Sequence, residues 1–252
     1  MPQALTKLRI AGYTDAGMRR EYNQDHIGFD QELGIAVLAD GMGGHKAGEI
    51  AAHMTVKFVL EKLQKFVLQK TSVSITGAQL LEFVSTTISS SNAEIFRTQQ
   101  EQELYKGMGT TIVATLIIGS HIYVGHVGDS RLYLYRNRKV KRLTKDHSVV
   151  QDLIDRGFYT EREAREANVG HVITRAMGTK SAVDVDTAEV PRLPYDLLML
   201  CSDGLTDMIS DWQIAETIAE NIADLDLAAK KLIALANLNG GKDNISVILM
   251  QT

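Results

Sequence analysis

In IAVLADGMGG, residues 35–44, five apolar residues from Ile35 to Ala39 end in Asp40 and a glycine-rich turn, and a long helical pattern follows. An unbroken apolar run of that length is what a strand buried on both faces requires. A strand, a glycine-rich turn and a helix also open a nucleotide-binding unit. Here Gly41 and Gly43 are not followed by glycine at 46, and His45 rather than glycine precedes Lys46, so neither GxGxxG nor GxxxxGK[ST] is satisfied. The strand therefore delivers a carboxylate, not a phosphate cradle.

Leu8–Tyr13 and Ile27–Asp30 are short strand-like runs before it, and two helices follow. Val56, Leu60, Leu63 and Val67 recur at spacings of four, three and four; Leu81, Val84, Ile88, Ser91 and Ile95 repeat the pattern after Gly77. From Gly109 to Val140 the runs TTIVATLII, HIYVGHV, RLYLYR and KVKRL predict a meander of antiparallel strands. Residues 144–178 are polar and weakly periodic, which predicts an irregular segment with one or two short helices, a functional flap. The tail predicts a strand at Leu197–Cys201, helices around Asp211–Glu220 and Leu227–Leu238, and a last strand at Ile245–Met250. Two strand groups interleaved with two helix pairs predict an α+β, four-layer α-β-β-α sandwich, with two central, mainly antiparallel sheets covered by helices. No repeat or Pro-rich linker interrupts it, so residues 1–252 are expected to form one domain.

Hydrophobic residues make up 44% of the chain, enough for a sizeable core. The net charge of −4 lacks runs of either sign and excludes the footprint of a nucleic-acid binder. Cys201 is the single cysteine, and no apolar run approaches a membrane span or a signal peptide, so a soluble, cytoplasmic protein is expected.

Four acids sit at predicted strand ends: Asp40 after IAVLA, Asp129 after YVGHVG, Asp203 after LLMLCS and Asp243 before ISVIL. Each has a glycine beside it or one residue away, Gly41, Gly128, Gly204 or Gly241, which lets the main chain turn tightly. One Asp-Gly after a strand is ordinary turn chemistry. Four of them make a set of hard oxygen ligands at the rim of a core, where charge needs a cation, and that points to Mg²⁺ or Mn²⁺ rather than zinc. Arg20, in the polar stretch MRREYNQD, adds a planar fork suited to phosphate oxygens. His45 and His126 read as packed or surface histidines rather than ligands. Cys201 lacks the arginine that a thiolate phosphatase needs where Asp207 stands, and DVDTA (184–188) ends in Ala188 where an aspartyl-nucleophile motif needs Thr or Val.

In TDAGMRREYNQD (14–25), ADGMGGHKAGE (39–49), GTT (109–111), HVGDSRLYL (126–134), LTKDHS (143–148), ITRAMG (173–178), LCSDGLTDM (200–208) and GGKDNISVI (240–248), the chain resembles the type 2C metal-dependent serine/threonine protein phosphatases, especially their compact bacterial members. The resemblance covers nearly the whole chain in order. It implies hydrolysis of phosphoserine and phosphothreonine esters on proteins by water activated at two Mn²⁺ or Mg²⁺ ions, with a third, weaker cation. By the same resemblance Asp40 would bridge the two metals, Gly41 would offer its carbonyl to one, and Asp203 and Asp243 would complete the other. Asp25 would act through metal-bound water, Asp129 would share the third cation with Asp203, Arg20 would grip the phosphate, and Asn244 would orient the acid beside it.

Animal relatives carry a histidine where Met42 stands, and a thioether cannot protonate a leaving group. The expected donor is instead a water on the cation that Asp129 holds. The flap, 144–178, is expected to tune substrate choice rather than chemistry. Expected partners are phosphorylated proteins and a cognate serine/threonine kinase, with the chain acting as a monomer. A catalytically weak phosphoprotein-binding scaffold of the same fold is the alternative.

Overall fold

The computed structural model describes residues 8–44, 47–69, 75–166 and 172–252; His45 and Lys46 lie outside them. Strand β3 (Ile35–Met42) is the pivot. It pairs antiparallel with β2 (Asp25–Asp30) on one side and β5 (Ile112–Ile118) on the other, and its last residues pair with the short β4 (Gly109–Thr110). β6 (His121–Val127) and β9 (Asp186–Pro191) complete this sheet, in the order β2-β3-β5-β6-β9. The second sheet has the order β1-β11-β10-β7-β8, from β1 (Arg9–Asp15), β7 (Arg131–Arg136), β8 (Lys139–Arg142), β10 (Leu197–Cys201) and β11 (Ile245–Gln251). Among the described residues every strand pairing in both sheets is antiparallel.

Alternation along the strands creates the layers, because successive side chains point to opposite faces. Ile35, Val37 and Ala39 of β3 face helices α1 (Ala47–Gln69) and α2 (Gly77–Glu101), meeting Val56, Leu63, Val84 and Ile88. Ala36 and Leu38, one residue out of phase, face the other sheet and meet Leu132, Leu200 and Ile248. Cys201, Val247 and Leu249 cover the outer face of that second sheet and pack on helices α6 (Asp211–Asn221) and α7 (Leu225–Leu238). The expected α-β-β-α sandwich is thus the one observed. Sequence-coded starts set two of the helices: Thr76 and Gln79 form a capping box at the N-terminus of α2, and Ser210 and Gln213 form one at that of α6.

The runs from Gly109 to Val140 do not form a single meander; β5 and β6 pair in one sheet, while β7 and β8 belong to the other. The chain changes sheets at Gly128-Asp129-Ser130, where Gly128 has φ +107 and an added Cβ would lie 2.6 Å from Thr111. Strand β9 has no counterpart in the sequence reading, because DTAEVP is a largely exposed edge without an apolar run.

The flap contains α3 (Val149–Asp155), capped by Ser148, and α4 (Glu161–Glu166), with 167–171 outside the described residues. Its ends are tied down by a bridge between Ser148 and Ile173 and another between Thr110 and Met177. Among the described residues no helix is long and apolar enough to cross a membrane.

Candidate metal centre and active site

Asp25 and Asp40 stand directly opposite each other in the β2–β3 pairing, two like charges across one rung of an antiparallel ladder. Local hydrogen bonds hold them there. The Asp40 amide donates to Thr111 Oγ1 (3.0 Å), and its carbonyl accepts from the Thr110 hydroxyl and the Thr111 amide, both at 2.8 Å. Ser202 Oγ donates to Asp25 Oδ2 (2.8 Å) from across the seam between the sheets. The other Asp25 oxygen, Oδ1, is buried with no hydrogen-bond partner.

The remaining acids converge from the second sheet and the crossing. Asp203 opens α5 (Asp203–Thr206) at the end of β10, Asp243 precedes β11, and Asp129 lies in the turn between β6 and β7. Glycine makes the approach possible: an added Cβ on Gly204 would lie 2.0 Å from the Asn244 carbonyl oxygen, so the two acid-bearing turns touch main chain to main chain. Gly41 is packed as closely, with the Gly48 carbonyl oxygen 2.2 Å from where its Cβ would stand.

The electrostatics record the crowding. Burial, and then the charges of Asp25, Asp203, Asp129 and Asp243, hold the Asp40 carboxyl well above the usual carboxylate range. Burial pushes Asp25 up to about 7 despite help from the Ser246 and Ser202 hydroxyls, with Asp203 and Asp243 adding to the rise. Asp129 is pushed up to about 8, first by burial and then by Asp203 and Asp146. Arg20 Nη2 pairs with Asp243 Oδ2 at 2.6 Å and also feels Asp40 and Asp203. Arg20, Asp25, Asp40, Asp129, Asp203 and Asp243 are therefore brought to one place.

Asn244 stitches the loops around them. Its Nδ2 donates to the carbonyls of Ala16 (3.0 Å) and Tyr22 (2.9 Å), its Oδ1 accepts from the Gln24 amide (2.8 Å), and its main-chain N–H reaches Asp243 Oδ1 (2.8 Å). The side chain fixes the loop that carries Arg20, while only the peptide group touches the neighbouring acid.

The set fits divalent cations. Several carboxylates share a partly dry pocket, their ionisation is opposed by mutual repulsion, Asp25 Oδ1 is buried without a donor, and the ligand atoms are hard oxygens throughout. Cys201 offers no competing thiolate, since complete burial pushes its thiol up to about 12. His126 is buried and sits 2.9 Å through Nε2 from the Lys145 carbonyl, and Asp186 of the DVDTA stretch pairs with Arg175 at 2.6 Å.

Sequence reasoning did not give roles to Thr110, Thr111, Ser202, Arg131, Asp146 and His147. Arg131 grips Asp146 with its Nε and Nη2 (3.1 and 2.7 Å), and His147 contacts Gly128, so LTKDHS braces HVGDSR. Both blocks stood out as sequence; their meaning needed the contacts between them.

Comparison with known proteins agrees with this arrangement. A family model described as protein phosphatase 2C matches residues 17–235. The serine/threonine phosphatase stp of Listeria monocytogenes is 35% identical over 241 residues, 94% of this chain and 93% of that one. The Streptococcus agalactiae serine/threonine phosphatase superposes with a TM-score of 0.85 at 38% identity, covering 96% of this chain and 98% of its own. The catalytic domain of PstP, solved in complex with two manganese ions, superposes with a TM-score of 0.81 at 33% identity and covers 97% of each chain. With like-charged aspartates meeting where two antiparallel sheets join, and with matches of this extent, the chain belongs to the protein phosphatase 2C family.

Proposed function

We infer that this serine/threonine protein phosphatase works through two divalent cations, Mn²⁺ or Mg²⁺, held by Asp40, the Gly41 carbonyl, Asp203 and Asp243. Asp25 contributes through water, and Asp129 with Asp203 takes a third, weaker ion. The observation that carries this reading is the crowded carboxylate set with the partnerless Asp25 Oδ1. When bound, such ions would lower the pKa of a water they hold toward about 7, which would supply the nucleophile at neutral pH.

The chain's own residues bind, orient and exclude. Arg20, with its side chain 55% exposed, is within reach of a phosphoryl group arriving from solvent, and its guanidinium would exchange Asp243 for phosphate oxygens. Asn244 keeps the Arg20 loop in register with the acids. Met42 supplies no proton, and the buried Cys201 supplies no nucleophile, so attack by water without a phosphoenzyme fits the residues present.

Residues 1–252 would act as one catalytic domain, a cytoplasmic monomer opposing a serine/threonine kinase that makes its phosphoprotein substrates. The lone, buried Cys201 fits a reducing compartment.

The test is turnover of a phosphoserine and phosphothreonine peptide panel with Mn²⁺ and Mg²⁺, beside Asp203→Ala. We expect metal-dependent release of phosphate, reduced at least ~10²-fold in the variant. Silence of the wild-type protein with both metals would favour a phosphoprotein-binding scaffold.

A further inference from the structure

His126, His147 and Asp186 bring potential ligand atoms within 4.8 Å of one another, outside the acid cluster. Their hydrogen bonds argue against a metal there. The Gly128 amide donates to His147 Nδ1 at 3.0 Å, so that nitrogen carries no proton and the neutral ring must carry its hydrogen on Nε2. A protonated Nε2 cannot ligate a metal; it faces Asp186 Oδ2 at 3.3 Å. The cation already at the cluster is Arg175, whose Nη1 lies 2.6 Å from Asp186 Oδ1 and 3.1 Å from His147 Nε2; an Nε2 that carries a hydrogen accepts nothing from Arg175, whose Nη1 hydrogens go to the Asp186 carboxylate and the Asp184 carbonyl (3.1 Å).

What the cluster does hold is a main-chain turn. His147 makes two bonds to Gly128: the ring accepts from its amide, and the His147 amide donates to its carbonyl at 2.9 Å. The His147 carbonyl accepts from Thr174 N–H at 2.8 Å, which closes the base of the flap. His126 stacks on the ring at 4.7 Å between centroids, and burial disfavours the charged form of both histidines. Gly128 precedes Asp129 at the point where the chain changes sheets.

We propose that His147 is a positioning residue: Asp186 fixes its tautomer and ring plane, and the ring clamps the Gly128–Asp129 turn to the base of the flap, setting how Asp129 is presented to the acid cluster. The part concerning Asp129 rests on the role given to it under Proposed function; the clamp itself does not.

Two substitutions each keep half of the relay. In His147→Asn, Oδ1 takes the place of Nδ1 and can still accept from Gly128, but the side chain does not reach Asp186. In His147→Gln, the amide reaches toward Asp186 but has no acceptor at the δ position. Both lose the imidazole ring, so loss of packing is common to the pair. Hydrogen exchange at the Gly128 amide, measured in the metal-free full-length protein, should rise about tenfold in His147→Gln and stay near wild type in His147→Asn. The Mn²⁺ concentration for half-maximal phosphopeptide turnover should rise in His147→Gln and in Asp129→Asn, and much less in His147→Asn. Equal exchange in the two His147 variants, or none faster than wild type, overturns the clamp. A faster Gly128 amide in His147→Gln together with an unchanged metal dependence in Asp129→Asn upholds the clamp and refutes the role given to Asp129.

Discussion

Asp40 sits where its charge is least welcome, paired across the ladder with Asp25 and surrounded by three further carboxylates. Burial and neighbouring carboxylates push Asp25 up to about 7 and Asp129 up to about 8, against 3.8 for an ordinary aspartate. Between those values the folded state binds more protons than the unfolded chain, so stability falls as pH rises. The contribution is whole below about pH 4 and is lost as pH climbs through 7 to 8. Asp40→Asn removes one of the repelling charges. We expect it to raise the Tm of the metal-free protein at pH 8 by roughly 4–8 °C, or ~2 kcal/mol, with little change at pH 4, while abolishing metal-dependent turnover. Calorimetry at the two pH values checks the sign; an unchanged Tm at pH 8 would show that the repulsion is already relaxed. Asp40 and Asp203 were legible in the sequence because an acid ending an apolar run breaks a strong pattern. His147 was not, because it acts on a peptide N–H 19 residues away and no local pattern encodes that partner.

At the scale of elements, the flap is held at its base by main-chain bonds. Thr110 and Met177 exchange two main-chain bonds, 3.2 and 2.8 Å, beside Asp40, and His147 and Thr174 close the other end. Between them Phe158 is 69% exposed, on the loop joining α3 and α4. Exchanging residues 151–168 for those of a relative leaves both attachments intact. We expect altered preference among phosphoproteins with hydrolysis of a small aryl phosphate kept within about threefold, because the loop reshapes access without moving the acids; loss of both activities would refute it. The two outer helix pairs were legible from their periodicity, as were β3, β10 and β11 from their apolar runs. The sheet change at Gly128 was not: two successive hairpins show the same alternation whether they share a sheet or divide between two.

Across the whole molecule the site is a property of the seam. Asp25 and Asp40 belong to one sheet, Asp203 and Asp243 flank strands of the other, and Leu38, Leu132, Leu200 and Ile248 fill the layer between. Leu200→Ala would open a cavity in that layer, and Leu232→Ala one of similar size beneath α7. Each should cost about 2–5 kcal/mol in denaturant unfolding. Only Leu200→Ala should also weaken Mn²⁺ binding, by roughly tenfold, because it loosens one sheet against the other; equal metal affinity in the two variants would count against a site set by sheet-to-sheet packing. Cys201 lies in the same strand as Leu200, sealed beneath the second helix pair. Peroxide disables a hydrolase that attacks with sulfur by oxidising its nucleophile; here the one sulfhydryl is enclosed, protonated and idle, so oxidants find no sulfur nucleophile to poison.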